Sequence, residues 1–127
     1  MDPSEFLDGG TVSVSDETYA VCRTDRDHPA AFATVREAGE TTVVVEESDL
    51  DEIDASGVEP GWKRLTFEMD LPFELVGFLA AVATALAEAD VSVFVLSSYA
   101  TDHVFVAEQA LGAAVERLEA LGCVVAD

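Results

Sequence analysis

The strongest constraint on this chain is the order in which its hydrophobic period changes between residues 61 and 127. From Trp62 to Met69, the residues Trp62, Arg64, Thr66 and Glu68 alternate with Lys63, Leu65, Phe67 and Met69, the two-residue period of an extended strand. Asp70-Leu71-Pro72 then offers a proline suited to a helix's first turn. Leu75, Phe78, Leu79, Val82 and Leu86 recur at helical spacing down to Asp90, so the pattern predicts an amphipathic helix over 73–89. Val91-Ser92-Val93-Phe94-Val95-Leu96 is β-branched and apolar on both faces, as suits an interior strand. A polar turn, Ser97 to Asp102, leads into a second short strand at His103-Val104-Phe105-Val106, which makes the pair a hairpin. Leu111, Ala114, Val115, Leu118 and Leu121 mark another amphipathic helix ended by Gly122, and Cys123-Val124-Val125 reads as a closing strand. The order β-α-β-β-α-β is the ferredoxin-like motif, in which two helices cover one face of a four-stranded antiparallel sheet, so an α+β fold is predicted.

The first half carries a different pattern. Short strands are expected around Thr11 to Val14, Thr18 to Arg23, Phe32 to Arg36 and Thr41 to Glu46, with no long helix. The acidic stretch Glu46 to Glu59, followed by Pro60-Gly61, reads as a solvated connection with one helical turn around Asp49 to Ile53. With 127 residues there is room for one compact domain or two small halves sharing a core. The expected division is an irregular β-rich half, 1–59, and a ferredoxin-like domain, 60–127.

Charge narrows the function classes. The chain holds 26 acidic and 6 basic residues, a formal charge of -20, spread from Asp2 to Asp127. Such a surface repels nucleic acid and anionic membranes, which require a cationic patch, so neither is an expected partner. One reading is a halophilic protein kept soluble in concentrated salt; a mesophilic acidic protein or a nucleic-acid mimic is the other. Cys22 and Cys123 lie far apart with no metal-ligand spacing, the acidic start lacks the pattern of a signal peptide, and no apolar run is long enough for a bilayer. A reducing, cytoplasmic location is therefore expected. No Gly-rich phosphate loop, HExxH or GxSxG motif occurs, and the carboxylates follow no metal-loop spacing. The expectation is a protein that is not an enzyme, with no cofactor, no metal and no catalytic residues.

The run Pro-Phe-Glu-Leu-Val-Gly-Phe-Leu-Ala from Pro72, with Leu-Ala-Glu-Ala-Asp-Val-Ser-Val-Phe-Val-Leu-Ser-Ser-Tyr-Ala-Thr-Asp-His-Val-Phe-Val ending at Val106, resembles a subfamily of ACT-domain proteins. These are short tandem-ACT proteins related to aspartate kinase regulatory domains and to the cytosolic arginine sensors. Tyr19-Ala20-Val21-Cys22-Arg23 and Gly61-Trp62 resemble the same family's N-terminal strand and its entry into the second unit. The resemblance implies two ACT-like units, the first irregular, and a regulatory or sensory protein that binds an amino acid where ACT units meet, as a homodimer or higher homo-oligomer. The alternative is an interaction module that docks a partner enzyme without a ligand of its own. The chain departs from the family pattern at Met69-Asp70-Leu71-Pro72-Phe73 and, through Ala100 and His103, at Tyr99-Ala100-Thr101-Asp102-His103.

The expected ligand-binding residues are Asp70, Leu71, Phe73, Gly77, Phe78, Ser97, Ser98, Tyr99, Thr101 and Asp102. Backbone N–H groups of a helix's first turn favour a carboxylate, Asp102 suits an ammonium group, and Ser97, Ser98 and Thr101 offer hydroxyls. Each has a plainer role beside it: Asp102 as the cap of its own turn, Gly77 as a close helix–strand contact, Tyr99 as an interface aromatic and the serines as hairpin polar residues. Asp102 and His103 are strand neighbours that point to opposite faces, which argues against a catalytic pair.

Overall fold

The computed structural model describes residues 2–72 and 75–126. It is a mixed α+β fold whose strands pair mostly antiparallel, and it divides into two compact units. One comprises Met1–Asp16 with Lys63–Asp127, the other Glu17–Trp62.

The larger unit begins with a short helix, α1 (Pro3–Leu7), that hydrophobic period alone did not predict. Local chemistry explains it: the Asp2 carboxylate accepts the Ser4 N–H at 3.0 Å and proline occupies the first turn. Strand β1 (Thr11–Val14) follows. The smaller unit holds β2 (Tyr19–Thr24), β3 (Ala33–Glu37), β4 (Glu40–Glu46) and the first part of β5 (Gly57–Phe67), whose second part belongs to the larger unit. The remaining elements are α2 (Phe78–Glu88), β6 (Val93–Ser97), β7 (Asp102–Ala107), α3 (Leu111–Ala120) and β8 (Val124–Ala126).

In the larger unit the pairing departs from the four-strand expectation. Strand β1 lies between β5 and β8, antiparallel to the first and parallel to the second, with Val12 opposite both Phe67 and Val125. Strand β7 pairs with β5 and β6. The C-terminal motif therefore completes its sheet with a strand from the start of the chain, and Val12 is wholly buried in the same core as Leu65, Phe67, Val82, Leu86, Val104, Val106 and Leu118. Strand periodicity reports which residues face a core, but not which strand lies alongside.

Helix α2 is shorter than the predicted 73–89. Residues 73 and 74 lie outside the described residues, 75–77 are not helical, and Gly77 is not inside the helix but is its N-cap at φ +88°. Helix α3 ends as its glycine predicts. The Cys123 N–H donates to the Leu118 carbonyl at 3.1 Å and the Gly122 N–H to that of Glu119 at 3.0 Å, with Gly122 at φ +101°. A Cβ on Gly122 would lie 2.9 Å from Asp8 Oδ1 and 3.0 Å from Asp8 Cα. Gly122→Ala is thus expected to cost about 1–3 kcal/mol, from a left-handed backbone compounded by that contact. Urea denaturation measures it, and a loss below the lower bound would refute the strain argument.

The smaller unit packs Ala20, Cys22, Val43 and Val45 into its own core, with Leu50 and Ile53 against it. A 3-10 segment, Glu47–Glu52, takes the place of the expected turn. The expected connection 46–59 is shorter than predicted, because β5 already begins at Gly57 and pairs Val58 with Cys22 and Glu59 with Val21. Pro60-Gly61 sits inside that strand where the register shifts, and Gly61, at φ +87°, donates its N–H to Glu47 Oε2 at 2.7 Å.

Candidate ligand-binding cleft

Two loops of the larger unit are stitched together by hydrogen bonds. The Leu71 N–H donates to the Ala100 carbonyl at 2.8 Å, and Thr101 Oγ1 donates to the Phe67 carbonyl at 2.7 Å. The turn that follows β6 is closed by the Ser98 N–H and Ser98 Oγ, both donating to the Thr101 carbonyl at 2.8 and 3.1 Å. Between these loops and the start of α2 opens a cleft of about 290 Å³.

Of the residues expected at a site, Leu71, Gly77, Phe78, Ser97, Ser98, Tyr99, Thr101 and Asp102 line this cleft. Phe78 is mainly a core residue: it is buried, and its ring meets that of Phe67 edge-on at 5.1 Å, so it forms the cleft's floor. Asp70 is not among the lining residues; it is exposed and borders shallower hollows beside Leu71 and Ala100. Phe73 lies outside the described residues. Pro72, Leu75, Leu79 and Ala80 also line the cleft. Their signal was present, because Leu75 and Leu79 fit the apolar spacing of the predicted helix, but that spacing does not distinguish a core wall from a cleft wall.

The electrostatic ends of the cleft are distinct. Ser97 Oγ donates to Asp102 Oδ1 at 2.6 Å and so fixes the half-buried carboxylate. In the same lining, Gly77 gives α2 no side-chain cap, and the first intrahelical bond runs from the Ala81 N–H to the Gly77 carbonyl at 2.9 Å. The N–H groups of Phe78, Leu79 and Ala80 precede that bond, at the positive end of the helix dipole. Such an arrangement suits a ligand with an ammonium group at one end and a carboxylate at the other.

His103 serves a different part of the unit. Its Nδ1 is 3.0 Å from Thr66 Oγ1, which accepts from Arg64 Nη1 at 2.9 Å. Burial, and then the neighbouring Arg64 charge, push the imidazole below its usual pKa. Asp102 and His103 thus hold different partners. Burial likewise pushes the Cys22 and Cys123 thiols up, away from the thiolate form that reactive cysteines need. Among the described residues no helix is long and apolar enough to cross a membrane, and no group of three or more His, Cys, Asp or Glu gathers as a metal site.

Helices packed on a mostly antiparallel sheet, with a small cleft where a helix begins beside a hairpin turn, define an α+β domain of the larger unit. The chain belongs to the ACT-domain family, whose model matches residues 57–120. Among solved structures it is similar to a protein from Agrobacterium tumefaciens, at 20% identity and a TM-score of 0.78, covering 93% of this chain and 92% of that one. It is also similar to a protein of unknown function from Vibrio cholerae, described as a possible transport protein, at 26% identity and a TM-score of 0.73, covering 91% and 92%. The regulatory subunit of aspartate kinase from Thermus thermophilus, in its ligand-free form, shares the fold at 13% identity and a TM-score of 0.64, covering 88% and 95%. No curated protein sequence matches the chain.

Proposed function

We propose that this protein is a regulatory amino-acid sensor, without catalytic activity, that holds its ligand in the cleft between the start of α2 and the turn from Ser97 to Asp102. The observation that carries this reading is the clamp on Asp102: the Ser97 hydroxyl at 2.6 Å and the stitched loops hold a carboxylate in the same lining as a helix start whose N-cap is Gly77. Family membership supports a regulatory role. The ferredoxin-like motif of the C-terminal half supplies both loops, and the irregular first half is read as a second, ACT-like unit. Ligand binding between ACT units of a homodimer or larger homo-oligomer, with the change in assembly carrying the signal, follows from the same reading. So does a cytoplasmic, high-salt setting for a surface of charge -20.

Calorimetric titration of the protein with each amino acid in molar KCl tests the proposal. At least one is expected to bind, and Asp102→Ala is expected to weaken it by about tenfold or more, roughly 1.4 kcal/mol, with the fold unchanged by circular dichroism. Silence from every amino acid would reject the sensor. It would favour a docking module, for which the 86% exposed Tyr99 of the cleft lining and the 80% exposed Val76 provide the contact surface.

A further inference from the structure

We infer that the cleft selects amino acids with an uncharged, aliphatic side chain over those with acidic or basic ones, an inference that rests on the sensor reading above. Its basis is the lining itself. Among the described residues that line the cleft, Asp102 is the one acidic side chain and no Lys, Arg or His is present. The chain's cations are engaged elsewhere: Arg23 with Ser56, Arg26 with Asp25 and Asp54, Arg36 with Asp27, Lys63 with the Asp16 carbonyl, Arg64 with Thr66 and Arg117 with Glu88. An aspartate or glutamate side chain in the cleft would meet no counter-charge among the described lining residues.

A lysine or arginine side chain meets the converse problem. A carboxylate accepts about four hydrogen bonds, of which Ser97 supplies one to Asp102, so capacity remains for one ammonium group. With the α-ammonium of the ligand there, a second cation has no second carboxylate among the described residues of the lining. What the cleft offers the side chain instead is the hydrocarbon of Leu71, Pro72, Leu75 and Leu79. Its volume, about 290 Å³, lies just below the roughly 300–1,000 Å³ of small-molecule sites, a scale suited to a single amino acid.

Competition calorimetry in molar KCl with leucine, isoleucine, valine, methionine, glycine, aspartate, glutamate, lysine and arginine tests the selection. The aliphatic ligands are expected to bind about tenfold or more tightly than glycine and the charged amino acids. Leu75→Asp adds a carboxylate to the lining and is expected to move the preference to lysine or arginine. Should that variant lose its native circular dichroism, Leu79→Ala, which thins the apolar wall without adding charge, is expected to narrow the leucine-to-glycine ratio about threefold or more. A charged amino acid binding as tightly as leucine overturns the selectivity while the sensor stands. An absence of heat with all amino acids overturns the sensor, and the selectivity with it.

Discussion

Phe67→Ala is expected to remove about 3–5 kcal/mol of folding stability, the range for truncating a fully buried aromatic ring. Phe67 is wholly buried, pairs with Val12 across β1 and β5, and meets the Phe78 ring edge-on. Its loss opens a cavity shared by the sheet and the first residue of α2. Total stability for a domain is about 5–15 kcal/mol, so the variant should unfold at much lower urea. The same cavity lies beside the cleft, because Phe78 lines it, and affinity for the proposed ligand should fall in the fraction that remains folded. Phe67→Leu keeps most of the volume and should cost less than about 1.5 kcal/mol. Equal losses for the two variants would mean that ring packing is not what holds α2 in place.

Lowering KCl from molar to about 0.1 M is expected to cost several kcal/mol. Two like charges about 8 Å apart repel by roughly 0.5 kcal/mol in bulk water. A Debye length near 3 Å at about 1 M leaves less than about a tenth of that, whereas one near 10 Å at about 0.1 M leaves roughly half. With 26 acidic residues against 6 basic ones, many such pairs go unbalanced. The ion pairs among the described residues lie on exposed side chains and add little. Urea titrations at stepped KCl measure the effect without adding charge. A midpoint that stays constant across the series would reject adaptation to salt.

Much of the architecture was legible from period alone. Leu65 and Phe67 announced β5, the stripe from Leu75 to Leu86 announced a helix, and Gly122 marked the end of α3, because in each case local side-chain spacing and backbone need coincide. The start of α2 was misread because Leu75 fits helical spacing, while Gly77 bends the chain into the left-handed region two residues later. The polar side of the cleft, from Ser97 to Asp102, was legible as a turn rich in hydrogen-bonding groups. Its apolar side was not, since Leu75 and Leu79 carry the same signal whether they face a core or an opening. The insertion of β1 was likewise hidden, because pairing between distant strands leaves no mark on local period.

That insertion also bears on how the molecule is born. Thr11 lies beside Val124, and the Val124 N–H donates to the Gly10 carbonyl at 2.8 Å, so the first and last strands of the chain are neighbours. A ribosome releases the first of them long before the second, and β1 must wait for a partner that is still unsynthesised. Contacts of such long sequence separation slow folding toward milliseconds or seconds. The contact of β1 with β8 therefore forms later than its contact with β5, and it closes the edge of the unit that carries the cleft.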